Sequence, residues 1–410
     1  MNISLSAPDI GQHEVEYVNE VLRSHQLSIG PWIEKFEKTF AGYIGTQHAV
    51  AINSGTSGLH LCVRALGIGS KDEVITTSFS FVASVSCFLY EGALPVLVDI
   101  DPQTLNLDPA AVRDFLRSQC VRSGDGSLVD RKSGRIVKAI IPVHVFGLPC
   151  PMDELMEIAR EYRLLVLEDA CEAIGAEFDR QRAGTFGNAG VFAFYPNKQM
   201  TTGEGGMIAT NDSRIAELCR SMRNQGRDTD GAWLRHVRMG YNYRLSELHA
   251  ALGLAQLERI DEILSSRAEV ARRYSELLSS QAQLQILEND SRTKRSWFVY
   301  VVRFRSPSPG ALRERVRGCL REKGIATQIY FTPIHQQPFY QQLQSGVVLS
   351  LPQTEQAAEE CLALPFHTRL SETEIKYVCD AIHQAMEPQK PESTAADQPV
   401  SLMSTQWAGI

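Results

Sequence analysis

Lys198 stands in a setting that few lysines occupy. It ends the run Phe194-Tyr195-Pro196-Asn197-Lys198, which closes an apolar stretch, and it precedes Thr201-Thr202-Gly203-Glu204-Gly205-Gly206. Most lysines are solvated surface charges. One held against apolar walls and near other cations loses its proton more easily and becomes a nucleophile. Two other clusters could serve such a nucleophile. Leu164-Leu165-Val166-Leu167-Glu168-Asp169 is an apolar strand ending in two acids. Its Asp169 reads equally as a cap for the next turn and as a carboxylate that holds a proton on a ligand nitrogen. Asn53-Ser54-Gly55-Thr56-Ser57-Gly58 lies between an apolar run and the amphipathic stretch Leu59–Leu66. The free N–H groups of a helix start bind phosphate, and glycine lets a ligand approach the backbone closely. By itself the same stretch is also an ordinary helix cap of small polar residues.

Together the three clusters are more informative. Pyridoxal phosphate needs a phosphate cradle, an acid at its pyridine nitrogen and a lysine to carry it. The chain offers Gly55, Thr56 and Ser57, then Asp169, then Lys198, in that order and each at the end of a candidate strand. The acid keeps the ring nitrogen protonated so that the ring accepts electrons. The lysine, once displaced, moves protons.

The elements that must position these residues follow from periodicity. Apolar runs at His48–Asn53, Glu73–Ser78, Leu94–Ile100, Ala139–Val145, Leu164–Asp169, Ala189–Tyr195 and Gly206–Asn211 alternate with mostly helix-length segments. This pattern predicts an α/β unit with a mainly parallel seven-stranded sheet, whose ligand sites gather at the carboxyl ends of the strands. Helical spacing marks Glu14–Arg23 and Trp32–Tyr43 ahead of it. Ser123–Ser127 reads as a surface loop or an extra hairpin. A long helix is expected from Ser246 to about Ser280. A smaller α/β unit then follows, with a strand over Ser296–Arg305 and a helix over Ala311–Lys323 stopped by Gly324. A last helix is opened by the capping box Ser371-Glu372-Thr373-Glu374. The expected division is a large unit over 1–245, a smaller unit over 246–386 and a disordered, Pro-, Gln- and Ser-rich tail over 387–410.

Composition narrows the function. In 410 residues, 43% hydrophobic and 22% charged side chains match a soluble globular protein with a substantial core. A net charge of -7 gives no electrostatic support to a nucleic-acid role. Nine cysteines without a CxxC pair argue against a disulfide framework and a zinc site, so no metal is expected. They fit a reducing cytoplasm. The first residues lack a basic region followed by an apolar stretch, and no apolar run is long enough for a bilayer, so neither export nor membrane insertion is expected. No G-x-G-x-x-G follows the first strand, and the Gly203–Gly206 cluster precedes a strand, which weakens a dinucleotide-binding oxidoreductase reading.

The sequence resembles the DegT/StrS-type nucleotide-sugar aminotransferases, a branch of the fold-type I pyridoxal-phosphate enzymes, from about Ile10 to Met386. The segments that carry the likeness are Asn53–Ser57, Ala139–Gly147, Glu168-Asp169-Ala170, Phe194–Lys198 and Gly240-Tyr241-Asn242-Tyr243-Arg244-Leu245. The resemblance implies a homodimer with its active site at the interface, a keto-sugar acceptor linked to a nucleotide, and glutamate as amino donor. It implies that Lys198 carries the cofactor, Asp169 pairs with the ring nitrogen, and Gly55, Thr56 and Ser57 cradle the phosphate. It makes Phe81 the aromatic stacked on the ring, against the competing reading of core packing. Asn242 would reach the partner's phosphate, unless it is an ordinary turn residue. His335 would lie near the substrate, unless it is structural. Arg227, Arg235, Arg238 and Arg244 are candidates for the diphosphate, each with the alternative of a solvated or structural role.

Two positions depart from the family pattern. Glu172 stands where many members have Gln or His beside the ring. A glutamate there can accept a hydrogen bond from the ring hydroxyl or carry the proton itself. Ala193 replaces a serine that contacts the phosphate, leaving water or Thr202 to supply a donor. Relatives with histidine at the lysine position are sugar dehydratases, so Lys198 favours transamination. The cofactor machinery would serve a cyclitol or free keto sugar equally well. A non-enzymatic regulator or scaffold of the same fold would need neither Lys198 nor Asp169.

Overall fold

The computed structural model describes residues 1–228, 234–287, 290–343 and 349–387; all of the expected tail but Glu387 lies outside the described residues. Each of the seven apolar runs forms a strand. Across the sheet the order is His48–Ile52, Gly206–Thr210, Ala189–Ala193, Leu165–Asp169, Ile136–Ile141, Asp72–Thr77 and Leu94–Val98. Gly206–Thr210 runs antiparallel to both neighbours, and the four other pairings are parallel. The stretch around Ser123–Ser127 is a hairpin, Cys120–Arg122 with Leu128–Asp130, and it extends the seven expected strands to nine.

Alternation along the strands sends residues into two cores. Val50, Ile52 and Val191 pack with Leu59, Val63 and Ile215 of the helices Gly55–Ala65 and Ser213–Arg223. Ala49, Ala51 and Phe192 face Phe36, Phe40 and Leu254 of the helices Pro31–Ile44 and Glu247–Glu258. Covering both faces explains why these strands are near-continuous apolar runs. Each fully buried Val, Leu, Ile or Phe contributes roughly 1.5–3 kcal/mol, so the strand ends that carry the polar residues rest on a rigid platform.

The single helix expected over Ser246–Ser280 is two, Glu247–Glu258 and Ile260–Leu278. They part at Arg259, whose backbone (φ -118°, ψ 20°) leaves the helical region. The Arg259 guanidinium is drawn to Asp9 Oδ1 at 2.7 Å and Glu14 Oε1 at 2.8 Å, tying the N-terminal segment to the break. The second helix, through Val270, Ala271, Tyr274 and Leu278, joins a separate core. That core covers a three-stranded sheet of Leu284–Ile286, Tyr300–Phe304 and Cys361–Leu364. The helices Pro309–Glu322 and Glu372–Met386 pack with it, the latter opened by the expected Ser371–Glu374 capping box. Ile3 belongs to this core and bridges Ile325.

The strand expected over Ser296–Arg305 forms only at Tyr300–Phe304. Upstream of it, Ser296 N donates to Gly147 O at 2.9 Å, so Ser296–Phe298 crosses to the large sheet. Gly147 has φ +76°, and a Cβ there would fall 1.7 Å from Ser296 O. Gly147→Ala should therefore lower stability by about 3 kcal/mol or more, through strain and the broken crossing. Thermal and urea denaturation check this, and a variant as stable as the wild type would mean the two segments separate without cost.

Candidate active site

A cavity of about 470 Å³ opens at the carboxyl ends of the central strands, and Lys198, Asp169, Glu172, Gly55, Thr56 and Phe81 all border it. The acids Glu168 and Asp169 point opposite ways because they are consecutive in a strand. Glu168 is fully buried. Its carboxylate accepts from Gly184 N (2.7 Å), Phe186 N (2.7 Å) and Gly187 N (2.8 Å). Its fourth partner is His144 Nε2 at 3.1 Å. Cys150 N donates to His144 Nδ1, which assigns the ring proton to Nε2 and makes that nitrogen a donor to Glu168. Asp169 faces the cavity. Its Oδ2 accepts from the Ser84 hydroxyl at 2.6 Å and its Oδ1 from Cys171 N at 3.2 Å. The orientation leaves Asp169 as a cavity carboxylate as well as a local cap.

Lys198 sits on the turn after the strand Ala189–Ala193, its N–H bonded to Tyr195 O at 2.9 Å. Its Nζ lies 3.3 Å from Glu172 Oε1 and 3.9 Å from the centre of the Phe298 ring. Glu172 is buried and its other oxygen accepts from Phe146 N at 3.0 Å. Burial pushes the Glu172 carboxyl above the usual carboxylate range, with the Lys198 amine opposing that rise. Gln199 clamps the loop, donating from Nε2 to Glu172 O at 2.6 Å and to Ser296 Oγ at 2.9 Å. Lysine, glutamate and Phe298 are thus brought together by an ion pair and a cation–ring contact, with Gln199 tying the segments that carry Glu172 and Ser296.

The helix Gly55–Ala65 starts at the cavity. Ser54 Oγ caps Ser57 N at 3.1 Å, and Gly58 N is bonded to Ser54 O. The amides of Gly55 and Thr56 precede these in the first turn, where a helix has no intrahelical acceptors to offer. Gly55 is needed for contact as well: a Cβ there would lie 2.8 Å from both Ala193 Cβ and Cys171 Sγ. Ser57 is turned away, with its hydroxyl 2.8 Å from Ser54 Oγ, and does not border the cavity. Ala193 does border it, whereas the Thr202 hydroxyl donates to Glu204 O at 2.7 Å and is not at the wall. The substitute donor expected from Thr202 is therefore already committed.

Phe81 is 61% exposed, which removes the core-packing alternative; Phe79, two residues earlier, is the buried one. His335 does not reach the cavity. Its Nδ1 lies 2.7 Å from Ser78 Oγ and its Nε2 3.2 Å from Glu355 Oε1, so both ring nitrogens serve the fold. Asn242 is exposed and does not border this chain's cavity. Arg244 donates to Asn224 Oδ1 and Gln225 Oε1 instead, and Arg235 pairs with Asp228 at 3.2 Å. Sequence reasoning missed Tyr195, Asn197, Phe298 and Tyr330, which also border the cavity. The position of Tyr195 and Asn197 just before Lys198 was a usable signal. Phe298 and Tyr330 arrive from the C-terminal segments, Phe298 from the stretch expected to be a strand.

The donor set fits pyridoxal phosphate: helix amides for phosphate, a carboxylate for the ring nitrogen, an amine for the aldehyde and an aromatic face. Asn197 Oδ1 is buried without a partner in the same wall, an acceptor left for a ligand donor. Such a site on a mainly parallel sheet defines a pyridoxal-phosphate aminotransferase of fold type I. Residues 8–383 match the DegT/DnrJ/EryC1/StrS aminotransferase family, and the chain belongs to it.

Among relatives, the GDP-perosamine synthase of Caulobacter vibrioides is 38% identical over 386 residues, spanning 94% of this chain and 98% of that protein. Helicobacter pylori PseC, an aminotransferase involved in the biosynthesis of pseudoaminic acid, superposes with a TM-score of 0.85 at 27% identity, over 94% of this chain and all of that one. The PLP form of Spr1654 from Streptococcus pneumoniae gives 0.83 at 25% identity, over 94% and 98% of the two chains. Among the described residues there is no cluster of ligands for a metal and no helix long and apolar enough to cross a membrane.

The two neighbouring acids should separate by experiment. Glu168→Ala strands one buried and two part-buried amides and should cost about 3 kcal/mol of stability. Asp169→Ala should stay within about 1 kcal/mol of wild-type stability yet slow turnover at least about a hundredfold. Denaturation midpoints and steady-state rates measure both, and an Asp169→Ala enzyme with wild-type turnover would remove that residue from the chemistry.

Proposed function

We propose that the protein transfers an amino group from glutamate to the keto carbon of a nucleotide-linked sugar. The observation that carries the reading is the meeting of Lys198, Asp169 and the Gly55–Thr56 amides on one cavity. The name GDP-perosamine synthase, borne by a relative that matches almost end to end, supports a sugar acceptor. When bound, the cofactor supplies an electron sink for the carbon that bears the amino group.

Asp169, braced by the Ser84 hydroxyl, holds a proton on the pyridine nitrogen. Gly55 and Thr56 donate amides to the phosphate while Ser57 secures their turn. Phe81 covers one ring face. Lys198 would hold the cofactor's aldehyde end, and its free Nζ would take the proton from the α-carbon of glutamate and deliver one to the sugar carbon. Glu172 orients that amine. The protein acts in the cytoplasm as a homodimer in which Asn242 and Arg244 reach the partner's site. The exposed side chains of Ile29 and Met239, 56% and 73% accessible, suit burial between two copies. The boundary expected at residue 245 is better set after the helix Glu247–Glu258, which packs on the large sheet, with the smaller unit built from Ile260–Leu278 onward and joined by Ile3.

Purified enzyme should show a visible absorption band that glutamate bleaches. Lys198→Ala should keep the fold by circular dichroism but neither bleach with glutamate nor turn over. Robust turnover by that variant would sink the mechanism, and a protein that stays colourless with added pyridoxal phosphate would sink the cofactor assignment.

A further inference from the structure

The buried stripe of the helix Ile260–Leu278 contains one charge. Arg267 lies on that stripe among Ile263, Val270, Ala271 and Tyr274, and is 4% exposed. Among the described residues no carboxylate forms an ion pair with it; Asp9 acts on it only through space, its own carboxylate being taken by Arg259 and Thr368. Burial pulls the guanidinium down to about 10, which leaves it a cation at neutral pH. His367 nearby gives no counter-charge. Both its ring nitrogens are buried without partners, and burial lowers its pKa, with Arg267 adding to that. A buried cation without an acid is costly unless hydrogen bonds hold it.

The bonds that hold it lead to the active site. Nε donates to Trp297 O and Nη2 to Phe298 O, each at 2.7 Å, and the guanidinium lies 5.0 Å from the centre of the Phe366 ring. Both carbonyls precede the strand ladder that starts at Tyr300, so a side chain takes the place of a sheet neighbour. Ser296, one residue earlier, is fixed by Gly147 and Gln199. Those two hold the start of this short segment and Arg267 holds its end, which carries the Phe298 ring 3.9 Å from Lys198 Nζ. The negative face of an aromatic ring stabilises a cation set over it. We propose that Arg267 is a positioning residue: through the two carbonyls it holds the Phe298 ring against the lysine nitrogen, and the ring favours the positively charged form of that nitrogen. The inference rests on the reading of Lys198 as the cofactor-bearing lysine.

In the holoenzyme the position of the visible band reports the charge on that nitrogen, so a spectral pH titration reads the proposal without turnover. Phe298→Leu should lower the midpoint by roughly half a pH unit, the worth of one cation–ring contact. Arg267→Lys should lower it by roughly half as much or more, because an ammonium on a flexible stem makes no fork to two carbonyls. Arg267→Gln should lower it too, whereas losing a cation's repulsion by itself would raise it. Added to Phe298→Leu, neither arginine substitution should shift the midpoint further. Circular dichroism checks the fold of each variant, and Arg267→Gln carries the test if Arg267→Lys does not fold. An unmoved midpoint in Phe298→Leu, or one that rises in Arg267→Gln, overturns the proposal. So does an arginine shift that adds in full to that of Phe298→Leu, since the arginine then acts by another route. A wild type that forms no visible band with added pyridoxal phosphate strikes the Lys198 reading itself; a normal band with unmoved midpoints strikes this inference alone.

Discussion

The carboxylate of Glu168, sealed in the centre of the molecule, is the contact on which the arrangement depends. Three backbone amides from one turn, Gly184 to Gly187, converge on it, and His144 completes its shell. A buried charge is tolerated only when its hydrogen-bonding capacity is filled. Filling it fixes the end of the strand Leu165–Asp169 against the turn that feeds the next strand and against the segment around His144. Asp169, the next residue, then has no freedom to choose its side of the sheet. From His144 the chain runs into Phe146, whose amide holds Glu172, and Gly147, whose carbonyl holds Ser296. The geometry around Lys198 is thus inherited from a polar knot that never touches a ligand.

Much of this was legible in the sequence because its signals are local. The seven strands announced themselves as apolar runs, since a sheet covered on both faces needs no polar alternation. Lys198, Asp169, Gly55 and Thr56 lie at strand ends, where an α/β sheet places its ligands. Less legible was anything that depends on a distant partner. Nothing around Arg259 marks a helix break, because the cause is an ion pair with Asp9 and Glu14 some 245–250 positions away. His335 sits in a segment suggestive of a substrate residue, but Ser78 and Glu355 claim its ring. Ser57 looked equivalent to Thr56, yet a helix turn points the two side chains apart, and Ser54 takes the serine.

The C-terminal segments matter to the site in two ways. They cover the apolar side of Lys198 with Phe298, and they supply Tyr330 and Phe331 to the wall. Both contributions come from chain that reads as ordinary core strand or loop, so the sequence concealed that a third of the chain's length serves the same cavity. The Ser296–Gly147 crossing is where this help is anchored.

The polar inventory of the cavity wall has a further consequence. This chain sets three carboxylates, from Asp169, Glu172 and Glu204, against one amine. A phosphate-bearing cofactor therefore enters a wall richer in acids than in bases, and its anionic end is met by peptide dipoles at a helix start. Dipoles act at short range and only when aligned. Retention of the cofactor then depends on the tilt of one helix, which the tight packing of Gly55 on Ala193 sets, more than on attraction felt from solution. Such a holder discriminates by fit: a stray anion gains little by approaching, while a ligand that also satisfies the lysine and the aspartate is kept.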